Sequence, residues 1–153
     1  MQDVKKRRTG HEESGQKIEK APSDRGLKIG QMTEGEKGRW GEEAAAVYYQ
    51  SRGFQVLERN YRSPFGEIDL IVSREDCLRF VEVKARTRSK YGRPADFVDR
   101  RKRDKIRRTA FHFLSRQSWQ GTWTYYLFDV VEVNLREKTI HRIPNAFALK
   151  EGA

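Results

Sequence analysis

Apolar and polar residues alternate most regularly across residues 66–86, which read G-E-I-D-L-I-V-S-R-E-D-C-L-R-F-V-E-V-K-A-R. Two alternating runs, 67–72 and 78–85, flank a polar segment at 73–76, which predicts two strands joined by a tight turn. Residues 54–62 read as a preceding strand, and Ser63-Pro64-Phe65-Gly66 as the turn into the pair. Further along, 122–134 alternates with aromatic and β-branched residues, and 138–143 reads as its partner across Leu135-Arg136-Glu137-Lys138. Residues 144–153 read as loop or tail.

The period changes to that of a helix in two places. Thr33, followed by Glu36, has the form of a capping box, and a helix is predicted from there to Arg52. Trp40, Ala44, Val47 and Tyr48 lie at helical spacing along it, and Gly53 is a natural stop. Gly38 and Gly41 each weaken such a helix by about 1 kcal/mol relative to alanine, so another backbone or a ligand is expected close by. The second helix is predicted over 98–116, with Val98, Ile106, Ala110, Phe113 and Leu114 along one stripe. The order of elements predicts one α/β domain over 33–147, followed by a short tail at 148–153. Residues 1–32 carry no period and are expected to form a disordered basic tail, with Met32 as an alternative start.

Charge changes the picture next. The 153 residues, 36% of them hydrophobic, suit a single core, but the net charge of +10 and a pI near 9.9 point to polyanionic partners. The first 32 residues hold eight basic and five acidic residues, so +7 belongs to the folded part. The second helix alone has eight basic against two acidic residues, an asymmetry that favours nucleic-acid contact over an ordinary solvated face. Between strand and helix, A-R-T-R-S-K-Y-G-R-P places Arg86, Arg88, Lys90 and Arg93 in a loop without an acid. That loop and Lys102 and Lys105 on the helix are the candidate phosphate contacts.

The lone Cys77 excludes an internal disulfide, and with three histidines beside it a structural zinc site is short of ligands. No apolar run approaches the roughly 20 residues that span a bilayer. The start of the chain lacks the apolar segment of a secretion signal. A cytoplasmic location without membrane contact is expected.

Candidate chemistry lies in the central strand pair. Asp69 sits among Ile68, Leu70 and Ile71, and Glu82 and Lys84 interrupt Phe80, Val81, Val83 and Ala85. Because side chains alternate, Glu82 and Lys84 share one strand face and can converge with an acid from the neighbouring strand. Two carboxylates suit Mg²⁺, and an ammonium beside them suits work at a scissile phosphate, the chemistry of a metal-dependent nuclease. A salt bridge between Asp69 and Lys84 or an arginine is the structural alternative. Glu42 is read either as an inward acid beside the strands or as a surface glutamate. Glu67 is read as a strand-end surface acid, and Asp129 as a structural hydrogen-bond acceptor outside the site.

The motifs G-R-W-G-E-E-A-A (38–45), R-N-Y-R (59–62), G-E-I-D-L-I (66–71), F-V-E-V-K-A-R (80–86), V-D-R-R-K-R-D-K-I (98–106), F-D-V-V-E-V (128–133) and I-P-N-A-F (143–147) together resemble the YraN-type family of uncharacterised bacterial proteins. That family is similar in fold to restriction endonucleases and Holliday-junction resolvases. The resemblance implies a restriction-endonuclease-like mixed β-sheet flanked by helices and a PD-(D/E)xK site using Mg²⁺ or Mn²⁺. It makes Asp69 and Glu82 metal ligands, with the Val83 carbonyl beside them, Glu42 a further acid acting through water, and Lys84 the lysine. Ile68 stands where the motif has proline. The implied substrate is DNA, branched DNA included, with RNA left open, and a homodimer would suit cutting two strands of a junction. The competing reading is a nucleic-acid-binding protein with a vestigial site; the third is an assembly factor.

Overall fold

The computed structural model describes residues 16–17, 28–87, 98–116 and 123–148. Arg88, Lys90 and Arg93 of the basic loop, and most of the expected N-terminal tail, lie outside the described residues. A six-stranded sheet in the order β1-β6-β5-β4-β3-β2 carries the fold. Its strands are β1 (Gln16–Lys17), β2 (Gln55–Ser63), β3 (Gly66–Arg74), β4 (Cys77–Arg86), β5 (Tyr125–Asn134) and β6 (Thr139–Phe147). Two helices, α1 (Glu34–Ser51) and α2 (Arg100–Arg116), cover it.

The expected mixed sheet flanked by helices is what forms. β4 and β5 run parallel, and the connection between them carries α2, as a parallel pair requires. Every other pairing is antiparallel. Because strand side chains alternate, the sheet builds two cores. Leu70, Val72, Val81, Val131 and Val133 pack with Ala44, Ala45, Ala46 and Tyr49 of α1. Ile71, Phe80, Phe128 and Val130 pack with Ile106, Ala110 and Phe113 of α2.

The cap of α1 forms as its sequence predicts: Thr33 accepts from the Glu36 backbone N–H at 3.2 Å. The buried face differs from the predicted stripe. Gly41, Ala44, Ala45, Ala46 and Tyr49 are buried, whereas Trp40, Val47 and Tyr48 are only partly so. The cause is Gly41, where a Cβ would stand 2.7 Å from the Ala85 Cβ. Its missing side chain lets the helix press its small-residue face directly onto β4. At Gly38 a Cβ would meet nothing within 4 Å, so the close approach involves one glycine, not two.

Two boundaries also move. β6 continues through Pro144 to Phe147, where loop or tail is expected. Among the described residues β6 pairs on its outer side with two-residue β1, at Thr139 and Ile140, so Pro144 lies outside that ladder. Within the expected N-terminal tail, Ile29–Gln31 form a 3-10 turn, and Ile29 packs against the α1-side core.

Candidate functional site

β3 and β4 pair in register from Arg74↔Cys77 to Leu70↔Val81, and the ladder stops there. The next two residues are Asp69 and Glu82. Beyond this point β3 stays with β2 as far as Ser63↔Gly66, while β4 follows β5 to Arg86↔Asn134. The two strands therefore part at the acids, forming a fork. Ile68 and Ile71 both belong to the α2-side core although strict alternation would set them on opposite faces, so β3 is also irregular at Asp69. Facing it across β2–β3, between the paired Arg59 and Tyr61, Asn60 adopts a positive φ of 49°.

The fork is closed by a side chain. The Val83 N–H donates to Asp69 Oδ2 at 2.7 Å, so the carboxyl takes up a backbone donor that the parted ladder leaves over. Asp69 and Glu82 are each only 8% exposed, and their carboxyls share a hydrogen bond. Burial, followed by the charge of Glu82, pushes the Asp69 pKa up to about 8; Glu42 adds to the rise, and the Val83 bond opposes it. Burial and the neighbouring carboxylate thus both favour the protonated form of Asp69.

Glu82 is met by two ammonium groups on the same oxygen. Lys84 Nζ lies 3.4 Å from Glu82 Oε1, and Lys102 Nζ, from α2, lies 2.5 Å from it. The salt bridge offered as the structural alternative therefore forms with Glu82, while Asp69 bonds Val83. Burial and then the neighbouring Lys102 lower the Lys84 pKa. Burial works against the Lys102 charge too, but its bond to Glu82, with Lys84 beside it, outweighs burial and raises the pKa.

Glu42 follows Gly41, so the close contact of α1 with β4 carries it toward the fork, near enough to act on Asp69 electrostatically. Glu67 pairs with Arg62 at 3.5 Å, both side chains exposed, and takes no part. Among the described residues no three of His, Cys, Asp and Glu are gathered as a metal-holding set. The site offers the Asp69–Glu82 pair, with Glu42 further out.

Lys102 is the residue whose place the sequence reading missed. Expected among the phosphate contacts, it instead reaches back into the acid pair. The signal was present: Lys102 stands four residues before Ile106 and four after Val98, on the apolar stripe itself. Arg107, one of the eight basic residues counted on this helix, does not face solvent. It is buried, bonds Asp104 at 2.8 Å and the Ala148 carbonyl at 2.8 Å, and lies over Phe147. Exposed bases on α2 are Arg100, Arg101, Lys105, Arg108 and Arg116. Arg86 ends β4, opposite Asn134. Glu132, buried on β5, pairs in register with Lys84 on one side and His141 on the other. It interrupts a valine run just as Asp69 interrupts its own, a signal read at Asp69 and passed over here.

Asp129 has the structural role expected of it. Only 1% exposed, it accepts from the Tyr49 hydroxyl at 2.6 Å, Arg79 at 2.8 Å, Arg142 at 3.1 Å and the Asn145 N–H at 3.0 Å.

No helix among the described residues is long and apolar enough to cross a membrane. The profile of the uncharacterised protein family UPF0102 matches residues 41–133, which include both strands of the fork and all of α2. A UPF0102 protein of Clostridioides difficile (strain 630) is 44% identical over 116 residues, covering 76% of this chain and all of the relative. One from Alkaliphilus metalliredigens is 39% identical over 112 residues, covering 72% and 96%. A third, from Sulfurihydrogenibium, is 38% identical over 119 residues, covering 78% and 100%. On this likeness, spread over the whole domain, the chain belongs to the uncharacterised protein family UPF0102, the YraN-type family that its motifs resemble.

Proposed function

We propose that the chain is a metal-dependent endonuclease that hydrolyses phosphodiester bonds in DNA, branched DNA included. The observation that carries this reading is the hydrogen-bonded Asp69–Glu82 pair at the β3–β4 fork, with Lys84 on the same carboxylate. Burying two carboxyls together is unfavourable unless a cation or a proton compensates. The position of this pair where the central strands part supports the reading.

The donor set fits a hard divalent cation. Both side chains are oxygen donors, and a two-carboxylate site completed by water and phosphate oxygens is what Mg²⁺ or Mn²⁺ takes. The Lys102 ammonium already occupies a cation's position at Glu82 Oε1. Asp69 and Glu82 would hold the ion, with the Val83 carbonyl beside them and Glu42 acting through water. When bound, such an ion neutralises phosphate charge and acidifies a coordinated water.

The remaining work falls to this chain's own groups. The Val83 N–H holds Asp69 Oδ2 and so fixes the carboxyl's orientation. Lys84, on the same strand face as Glu82, orients the attacking water or offsets charge that develops on the phosphate. Arg101, Lys105 and Arg108, exposed along α2, hold the phosphate backbone, together with Arg86 at the end of β4. The free thiol of Cys77 suits the cytoplasm. Cutting both strands of a junction would need two copies of the chain.

The test is cleavage of labelled single-stranded, duplex, flap and four-way-junction DNA, and of RNA, by wild type and Asp69→Asn. Each is run with Mg²⁺, with Mn²⁺ and with EDTA. Metal-dependent cutting that is absent from the variant is the expected result, and the panel names the substrate. Salt-sensitive binding with no cutting of any substrate would replace it with a binding protein whose acids are relics. No nucleic-acid affinity at all would point to an assembly factor.

A further inference from the structure

We propose that Lys102 is the exchangeable counter-ion of the site: it occupies the Glu82 carboxylate until a divalent cation arrives, and is then released to hold substrate phosphate. This rests on the metal-dependent reading above and adds a working residue to it. The geometry is one of redundancy. Glu82 Oε1 receives ammonium groups from Lys84 at 3.4 Å and from Lys102 at 2.5 Å, although one positive charge balances it.

The two lysines are not equivalent. Lys84 is two residues from Glu82 on the same strand face, so the backbone keeps it at the site whatever else binds. Lys102 comes from a different element, and its side chain is 40% exposed. A flexible four-carbon stem anchored on α2 can carry the ammonium from Glu82 outward without moving the helix. A divalent ion on the Asp69–Glu82 pair repels an ammonium resting on the same oxygen, which makes the inward position costly. The outward position lies beside the exposed Arg101 and Lys105, the surface on which phosphates would lie. One lysine thus neutralises the empty site and then joins substrate binding once the site is loaded, which couples the two events.

The experiment uses the full chain and two readouts besides turnover. Amine acylation followed by mass spectrometry measures the accessibility of Lys102 with and without Mg²⁺, with exposed Lys105 as the internal reference. Mn²⁺ titration followed by electron paramagnetic resonance measures metal affinity in wild type, Lys102→Met and Lys102→Arg. The expected result is Lys102 labelling that rises about fivefold or more with Mg²⁺ while Lys105 stays constant, and no rise in Asp69→Asn. Lys102→Met should bind Mn²⁺ about tenfold more tightly than wild type and have a raised KM for DNA, with Lys102→Arg restoring most of the KM.

Lys102 labelling that stays constant while wild type binds Mn²⁺ would overturn the exchange and leave the nuclease reading standing. Weaker Mn²⁺ binding by Lys102→Met would show instead that the lysine supports the site. No Mn²⁺ binding by wild type would overturn both proposals. The labelling arm uses the unaltered protein, so a variant that fails to fold does not remove the test.

Discussion

The backbone N–H of Val83 donates to Asp69 Oδ2 at 2.7 Å, across the point where β3 and β4 cease to pair. This bond joins the fold to its chemistry. It satisfies a donor that the parted strands would leave buried, and it holds an acid against the E-x-K strand beside Glu82. An acid at this position is therefore both a structural plug and a chemical group, and the two roles can be separated by substitution.

Asp69→Asn keeps an oxygen for Val83 and removes the ionisable group. We expect loss of metal-dependent cleavage by at least about a hundredfold, with DNA affinity unchanged or modestly increased. Single-turnover cleavage and anisotropy titration on the same preparation check this. Cleavage near the wild-type rate would remove Asp69 from the chemistry.

The raised Asp69 pKa makes stability depend on pH in the metal-free protein. Asp69 titrates near 3.8 in the unfolded chain and near 8 in the native one. Between those values the native state binds more protons, so this residue's contribution falls as pH rises from about 4 to 8 and is level above that. Each pKa unit is about 1.4 kcal/mol. Asp69→Asn should therefore gain on the order of a few kcal/mol relative to wild type between pH 5 and pH 8.5. Urea denaturation in EDTA at both pH values measures this, and a constant difference would contradict it.

Gly38 and Gly41 of α1 should respond to alanine with opposite sign. Gly38→Ala meets nothing within 4 Å and should stabilise the protein by about 0.5–1 kcal/mol. Gly41→Ala would set its Cβ 2.7 Å from that of Ala85, and should cost about 1–3 kcal/mol despite the helix gain. Because Gly41 fixes where Glu42 sits, its substitution should also lower turnover. Thermal unfolding of both variants is the measurement.

Asp129 holds Arg79, Arg142 and Tyr49 together in the α1-side core. Asp129→Ala leaves two guanidinium groups there without their acid and should cost about 3–5 kcal/mol. Tyr49→Phe loses one hydrogen bond and should cost about 1–2 kcal/mol. Neither should change turnover per folded molecule, which denaturation curves paired with active-fraction measurements would show.

The bases of α2 should sort by exposure. Arg101→Ala and Lys105→Ala should each flatten the slope of log affinity for duplex DNA against log salt by about 0.9. Arg107→Ala should leave that slope alone and reduce stability, because its guanidinium is bound to Asp104 and the Ala148 carbonyl. A salt titration of the three variants distinguishes them.

Local chemistry was enough to determine much of this protein. The Thr33 cap, the turn at 75–76, the hairpin strands and the basic asymmetry of α2 follow from residue type and period, which act over a few neighbouring positions. Asp69, Glu82 and Lys84 stood out for the same reason, as charges placed where a buried strand excludes them. What only the tertiary structure decided is how separate elements meet. The break of the β3–β4 ladder at Asp69 depends on β2 and β5 pulling their partners apart, and no single strand encodes it. The burial of Arg107 depends on the path of the chain after β6. Lys102 lies in the site and not on the phosphate face because α2 crosses the sheet with its apolar stripe inward, carrying one long side chain to Glu82. A lysine's own chemistry favours water and an acid equally well, and only packing over a span of some twenty residues chooses between them.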